Sequence, residues 1–252
     1  MVQLTELVQY IDSLLEVDRF RDYAPNGLQV EGKGTVNKIV CGVTACQALI
    51  DAAITARADA VLVHHGYFWK GESEAITGMK RQRIKSLLDA DISLLAYHLP
   101  LDAHATLGNN AQLADLLGLT ISGTFPQTES QAVGMHGKLA QAISAEQLLQ
   151  QLENKLDRTP MHIAGSDKFI ETVAWCSGGA QGYIEAAALQ GVDAYISGEI
   201  SEQTVHIARE YGLHYFAAGH HATERYGVQA LTRHLADRFA VQSQYIDIDN
   251  PV

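Results

Sequence analysis

The chain has 252 residues, of which 47% are hydrophobic and 19% are charged, a composition typical of a globular protein with one large domain or two of ordinary size. Its net charge of −11 argues against general binding to nucleic acids or anionic membranes, since both need a basic surface. The opening segment carries acidic residues unlike a signal peptide, no run of about 18 apolar residues exists and the three cysteines form no CxxC motif, so we expect a cytoplasmic protein with free thiols.

The first half of the chain predicts helices and strands in alternation. The predicted elements are a helix over residues 3–16, a turn-rich segment over 24–32, a strand over 36–44, a helix over 47–56, a strand over 60–63, a helix over 78–91, a strand with its exit loop over 92–102 and a helix over 109–119. Strands that alternate with helices of about ten residues are typical of parallel α/β units.

The second half of the chain repeats this plan. Shifted by 134 residues without a gap, residues 39–66 align with residues 173–200, and Asp59 falls on Asp193. We therefore predict an α/β fold of two similar α/β domains related by an internal repeat, with mixed or parallel sheets flanked by helices and a metal site in the cleft between them. The predicted domains are residues 1–125 and 126–252. The segment 126–136 reads as a linker or the start of a domain, and the carboxyl-terminal strand VQSQYIDID could join either half.

Ligand-type side chains follow the predicted strands at four places. These are His64 with His65, His98 with Asp102, Ser197 with Gly198 and Glu199, and His220 with His221 and Glu224. Sites in open α/β sheets form outside the carboxyl ends of strands, and imidazole and carboxylate groups suit zinc, manganese, iron or nickel. A helix that starts at GHHATER would place His220 and Glu224 on one face, at i and i+4. The adjacent histidines make sense if each serves a different ion of a two-metal centre.

Each of these features also has a structural interpretation. A single histidine near a strand end is more often a hydrogen-bonded structural residue than a ligand, whereas three such clusters favour a metal site. The glycine-rich segment CSGGAQG favours a plain tight turn over a phosphate site. The basic run KRQRIK favours a solvated helix face over attraction of an anionic substrate. For Glu199, a helix-start or interface charge is favoured over contact with the site.

Five motifs together resemble the family of GTP cyclohydrolase 1 type 2 homologs, the Ngg-interacting-factor-like dinuclear-metal proteins. The motifs are YAPNGLQVEG, VLVHHGYFW, YHLPLDAHATLGNNAQLA, GVDAYISGE and AAGHHATER. The resemblance covers nearly the whole chain. Within the family, the chain is similar to the short two-domain bacterial members.

This resemblance implies a toroidal homohexamer with two divalent metal ions per chain, each zinc, iron, manganese or nickel. Carried over by position, His65 and Asp102 would hold one ion, His64 and His220 the other, and Glu224 would bridge them. His98 would lie near the metals without being a principal ligand, which fits either proton transfer or the orientation of a ligand.

These residues favour a metal-dependent hydrolase that acts on a small substrate through water activated by two ions, and the resemblance implies a nucleotide-like substrate. No Ser-His-Asp or Cys-His arrangement offers a nucleophile, and His98 is the candidate for proton transfer. The alternative is a metal-binding ring that works as a carrier, regulator or scaffold without turnover.

Overall fold

The computed structural model describes residues 1–126 and 131–252, and within them the chain forms two compact units. The first unit contains Met1–Leu101 and Gly227–Asp249, and the second contains Asp102–Tyr226 and Asn250–Val252. Residues 127–130, part of the predicted linker, lie outside the described residues.

The first unit is built on a five-stranded sheet of order β13-β4-β5-β6-β2 beside a two-stranded sheet of β1 and β3. Its strands are β1 (Val2–Gln3), β2 (Gly27–Val30), β3 (Thr35–Val36), β4 (Lys38–Thr44), β5 (Ala60–His65), β6 (Ser93–Ala96) and β13 (Gln242–Tyr245). Strands β13, β4, β5 and β6 are parallel, and β2 is an antiparallel edge strand. The segment predicted as turn-rich therefore also contains a strand, β2.

The helices of the first unit are amphipathic or apolar enough to cover the sheet. They are α1 (Leu4–Leu14), α2 (Gln47–Thr55) and α3 (Gly78–Asp89), with α9 (His220–Phe239) contributing from Gly227 onward. Leu49 and Ile50 of α2 and Leu87 of α3 are fully buried and join one hydrophobic cluster with β4, β5 and β6. Because these strands are buried on both faces, they read as continuous apolar runs.

The second unit is built on a six-stranded sheet of order β7-β8-β10-β11-β12-β9. Its strands are β7 (Thr120–Phe125), β8 (Gly134–Ile143), β9 (Met161–Ile163), β10 (Ile170–Cys176), β11 (Ala194–Ser197) and β12 (His214–Ala217). Strands β10, β11 and β12 are parallel, whereas β8 and β9 run antiparallel to their neighbours in that trio. The sheet is therefore mixed, as predicted.

The helices of the second unit are α5 (Asn109–Leu117), α6 (Ala145–Leu156), α7 (Ile184–Leu189), α8 (Glu202–Tyr211) and the first turns of α9. Helix α4 (Leu99–Ala103) belongs to both units, because the first unit ends at Leu101 and the second begins at Asp102. Helix α6 begins with a capping box in which Ser144 and Gln147 satisfy each other's backbone amides. Its buried face packs Leu148 and Leu152 into one cluster with Trp175.

The predicted internal repeat is present in the hydrogen bonding of both units. The Asp59 carboxylate accepts the backbone amides of Asn37 and Lys38, at 2.9 and 3.1 Å. The Asp193 carboxylate accepts the amides of residues 171 and 172, 134 positions later in each case, at 3.1 and 2.9 Å. Each aspartate thus fastens a parallel strand near its start, β4 in the first unit and β10 in the second, in the same way.

The compact units divide the chain at other points than the predicted domains of 1–125 and 126–252. Residues 120–125 form β7, which pairs with β8 in the second sheet, so the division comes earlier, after Leu101. The carboxyl-terminal strand β13 pairs with β4 and belongs to the first unit. Asp102 consequently lies in the second unit and not in the first domain as predicted.

No helix within the described ranges is long and apolar enough to cross a membrane. The three cysteines are free thiols, as predicted, and Cys41 and Cys176 are buried.

Candidate functional site

A cluster of three histidines lies at one edge of the first unit's sheet. His64 and His65 end β5 and His98 follows β6, its parallel neighbour, so the carboxyl ends of both strands bring them together. One ligand atom from each of the three lies within 4.8 Å of the others. The ring centroids of His64 and His65 are 4.6 Å apart, and those of His64 and His98 are 5.0 Å apart. The fold thus gathers three of the predicted site residues into one cluster.

The rings of His64 and His65 are oriented through their Nδ1 atoms. His64 is fully buried, and its Nδ1 lies 2.9 Å from the Tyr97 carbonyl oxygen, which can only accept, so Nδ1 carries the proton. The Nδ1 atom of His65 lies 3.2 Å from the Thr44 hydroxyl. In both residues Nε2 is therefore the atom placed for coordination, the arrangement usual for metal-binding histidines whose other ring nitrogen is held by an acceptor.

His98 is held by the carboxylate of Asp22, a residue that no sequence motif singled out. The His98 Nδ1 lies 2.7 Å from Asp22 Oδ1, and the Leu99 amide donates to Asp22 Oδ2 at 2.9 Å. Burial raises the pKa of Asp22, but the hydrogen bond and positive charge of His98 outweigh it and lower that pKa overall. An ionised Asp22 thus fixes the His98 ring, which also meets Trp69 edge-on at a centroid distance of 5.0 Å.

Three of the predicted ligands come together in the second unit. Helix α9 begins at His220, so His220 and Glu224 share a face, and His220 Nε2 lies 3.1 Å from Glu224 Oε2. A carboxylate oxygen of Asp102 lies within 4.8 Å of one of Glu224, and both residues are buried. Two buried carboxylates this close repel each other, so a proton or a cation between them is strongly favoured.

Asp102 is positioned by two side chains to which the sequence assigned no role. Asn109 Nδ2 donates to Asp102 Oδ1 at 2.9 Å, and the Ser177 hydroxyl donates to the same oxygen at 3.1 Å. Asn109 is the first residue of α5 and Ser177 follows β10, so both come from element ends. These neutral donors hold the carboxylate in place without neutralising its charge.

The glycine-rich turn after β10 makes a close approach to the same residues. Gly178 has φ +65°, and a Cβ at this position would lie 2.0 Å from Glu224 Oε1 and 3.1 Å from His220 Nε2. The Gly178 amide donates to the Thr223 hydroxyl at 3.0 Å, which ties the turn to the first turn of α9. The segment is a tight turn, as predicted, and it also lies against His220 and Glu224, which together with Asp102 form what we call the carboxylate–histidine group.

Glu199 contacts His220 directly, so the structure agrees with the less favoured of its two interpretations, contact with the site. Its Oε1 lies 2.7 Å from His220 Nδ1, and Gln181 donates to its Oε2 at 3.2 Å. Burial lowers the pKa of His220, but the hydrogen bonds and charges of Glu224 and Glu199 outweigh it and raise that pKa to about 9. Glu199 thus orients His220 as carbonyl or carboxylate acceptors orient metal-binding imidazoles.

The basic run in α3 was predicted to be a solvated helix face, but one of its residues, Lys80, is buried. It donates to the Ser73 carbonyl oxygen at 2.6 Å and lies 3.3 Å from a carboxylate oxygen of Glu72. Its ammonium also lies 5.3 Å from the ring centroid of Phe68. Lys80 therefore fastens the segment that follows the paired histidines.

Comparison with known proteins gives full-length relatives. The chain is 55% identical over 249 residues to a protein of Vibrio cholerae named GTP cyclohydrolase 1 type 2 homolog, with 98% of each chain covered. It is 54% identical over 248 residues to the protein of the same name from Escherichia coli K12, again with 98% of each chain covered. Among solved structures, it matches protein ybgI, of unknown function, with a TM-score of 0.96, 52% identity and 100% of both chains covered.

The fold is also shared by more distant structures. TTHA1606 from Thermus thermophilus matches with a TM-score of 0.90 and 34% identity, over 100% of both chains. Reduced HcgD from Methanocaldococcus jannaschii, at 22% identity and a TM-score of 0.84 over 98% of both chains, has the same fold. The model of the family described as Duf34/NIF3 (NGG1p interacting factor 3) matches residues 2–251. The resemblance of the sequence motifs is therefore confirmed: the chain belongs to the Duf34/NIF3 family.

Proposed function

We propose that the protein is a metal-dependent hydrolase of a small substrate. The observation that carries the proposal is the orientation of four histidines, His64, His65, His98 and His220, each of which has Nδ1 beside an oxygen atom and thereby presents Nε2. The Nε2 atoms of His64, His65 and His220, together with the buried carboxylates of Asp102 and Glu224, would form a donor set of imidazole nitrogen and carboxylate oxygen that fits zinc, manganese, iron or nickel.

The proposed ligand set is the one that the family resemblance implies. His65 and Asp102 would hold one ion, His64 and His220 would hold the other, and Glu224 would serve both. Within each unit, the hydrogen bonds from Tyr97, Thr44, Glu199, Asn109 and Ser177 restrict these side chains, which lowers the entropy lost when they bind metal. When bound, such ions polarise a substrate oxygen and lower the pKa of water.

His98 is the proposed proton-transfer residue. Asp22 holds its Nδ1 and stabilises the charge that the ring acquires when Nε2 takes a proton. Nε2 therefore takes the proton that the attacking water loses and returns it to the leaving group. The name of the relatives, GTP cyclohydrolase 1 type 2 homolog, makes nucleotides the first substrate class to screen.

The metal content of the purified protein tests the proposal first. Elemental analysis is expected to give about two ions per chain, and Glu224→Ala is expected to lose most of them. Glu210→Ala is the matched control, since Glu210 is an exposed residue of α8. If the parent protein bound no stoichiometric metal after incubation with zinc, manganese and iron, the proposal would be wrong.

Substitution of His98 separates an enzyme from a carrier. A hydrolase with His98→Gln is expected to keep its metal and lose turnover by about 10²- to 10⁴-fold, the usual contribution of general acid–base catalysis. His206→Gln, at an exposed position of α8, is the matched control. Equal turnover of the two variants would contradict the role of His98, and an absence of turnover on every nucleotide tested would favour the carrier.

The toroidal homohexamer implied by the resemblance is part of the same proposal. Light scattering coupled to size-exclusion chromatography is expected to give six times the mass of one chain. A monomeric mass would refute the ring and leave the metal proposal to be judged by the elemental analysis.

A further inference from the structure

A cavity of about 710 Å³ lies in the second unit next to the residues that orient His220. It is lined by Arg158, Thr159, Pro160, Met161, Gly198, Glu199, Ile200, Ala217 and Val252. The volume falls in the range of small-molecule sites, and the lining combines apolar side chains with two opposite charges. Glu199 is the residue that contacts His220 Nδ1, so one end of the cavity adjoins a proposed metal ligand.

Arg158 is the cation of this cavity, and among the described residues its Nη1 atom has no hydrogen-bond partner. This atom is also buried. A buried or half-buried guanidinium is normally paired, particularly in a protein with a net charge of −11. Its planar set of N–H donors matches the oxygens of a phosphate or carboxylate.

The backbone fixes the position of Arg158. A Cβ on Gly219, which has φ +100°, would lie 2.6 Å from both Cδ and Nη1 of Arg158, so the side chain lies directly against this glycine. Gly219 immediately precedes His220 and the start of α9. Arg158 itself lies between the end of α6 and Pro160, just before the edge strand β9. The guanidinium is thus placed by packing, with the hydrogen-bonding capacity of its Nη1 unused.

We propose that Arg158 binds the oxyanion of a small organic substrate whose apolar body occupies this cavity. Pro160, Met161 and Ile200 suit an apolar or aromatic body, while the negative charge of Glu199 disfavours a second anionic group in the cavity. This inference rests on the proposed function, which identifies the ligand as a substrate. It deepens that function because it places the anionic group beside Gly219, the residue that precedes His220.

Calorimetric titration of the full-length protein tests this inference with four probes: phenyl phosphate, inorganic phosphate, benzoate and phenol. Phenyl phosphate is expected to bind saturably and more tightly than inorganic phosphate, and phenol is expected not to bind. Arg158→Gln is expected to weaken phenyl phosphate by about 10- to 100-fold, the usual loss of charge-assisted hydrogen bonds. Arg158→Lys should fall between the two, since it keeps the charge and loses the planar donor set. Arg209→Gln, which removes an equal charge from the exposed end of α8, should bind as the parent does.

The titrations are repeated after EDTA treatment, and the metal content of every variant is measured. Anion binding that survives EDTA and depends on Arg158 supports the inference even if the metal proposal fails. Benzoate binding through Arg158 extends the site to carboxylates, and its absence restricts the site to phosphates. Unchanged binding in Arg158→Gln, equal binding of phenol, or no saturable binding by the parent would overturn the inference.

Discussion

Replacement of Gly178 by alanine provides the sharpest structural test of the carboxylate–histidine group. The new methyl group would lie 2.0 Å from Glu224 Oε1, whereas real Cβ contacts are essentially never below 3.0 Å. The Glu224 carboxylate or the turn must therefore move by about 1 Å or more. Metal–ligand bonds tolerate only about 0.2 Å, so a displacement of this size removes an oxygen ligand from its coordinating position.

The magnitude has two parts that can be separated. Alanine in the left-handed conformation costs about 1–2 kcal/mol of unfolding free energy, and the overpacking costs about 1–3 kcal/mol more. The displaced carboxylate should weaken metal binding by at least about 10- to 100-fold, the loss typical when a supporting residue of a metal site is removed.

Two other glycines of the second unit are matched controls. Gly191 has φ +72° and Gly182 has no positive φ, and a Cβ at either position would meet nothing within 4 Å. Gly191→Ala therefore reports the conformational strain alone, and Gly182→Ala reports neither strain nor overlap. Urea unfolding gives the stability of each variant, and a zinc titration against a chelating indicator gives its affinity at a temperature where circular dichroism shows it folded.

The expected pattern is loss of stability in Gly178→Ala and Gly191→Ala, with loss of metal affinity in Gly178→Ala alone. Parental metal affinity in a folded Gly178→Ala protein would refute the argument that Glu224 is a ligand held against this turn. Equal metal loss in Gly191→Ala would attribute the effect to general destabilisation.

Three further outcomes follow from contacts in the second unit. Glu199→Ala should weaken metal binding by about 10- to 100-fold because His220 loses the acceptor at its Nδ1; Glu199→Gln, which keeps an acceptor oxygen, should lose less, and the reverse order in a zinc titration would contradict the orienting role. Asn110→Ala should lower the unfolding free energy by about 2–4 kcal/mol in urea, because it leaves two buried backbone groups without their partner; a loss below about 1 kcal/mol would mean that water replaces the side chain. Burial and the neighbouring His214 lower the pKa of His162, and burial lowers the pKa of His214. The two neutral rings therefore stabilise the fold above their unfolded pKa of 6.5, and this contribution to the free energy of unfolding is lost as the pH falls below that value. The urea midpoint should drop between about pH 7.5 and 5.5, and His162→Phe should reduce that drop.

The strand ends and the helix spacing of the candidate site could be predicted because they depend on local sequence. The apolar run before His64 specifies a buried strand, and its carboxyl end specifies the edge at which the histidines emerge. The i, i+4 spacing of His220 and Glu224 requires only that a helix begin at His220, and it does. The internal repeat was visible for the same reason, since equal apolar spacing produces equal strands and helices.

The residues that hold these ligands could not be predicted because their contacts join distant parts of the chain. Asp22 meets His98 across 76 positions and Ser177 meets Asp102 across 75. Neither pairing leaves a periodic signal. The same holds for the division of the chain, because β13 returns from the carboxyl terminus to pair with β4. The contact of Glu199 with the site did leave a signal in the sequence, because Glu199 corresponds to His65 in the internal repeat.

The duplicated aspartate clamp gives the chain a matched pair of probes for cooperative melting. Asp59 and Asp193 each accept hydrogen bonds from two backbone amides near the start of a parallel strand, β4 or β10, one in each compact unit. Replacing either by alanine removes a pair of amide bonds together with one further bond, from Lys33 to Asp59 or from the Thr172 hydroxyl to Asp193. In scanning calorimetry, a chain that melts as one cooperative block would respond to either change with a downward shift of a single transition. If the units melt separately, the melting temperature of each unit should fall only when its own aspartate is replaced. The duplicated aspartate therefore allows the thermal stability of each unit to be measured separately.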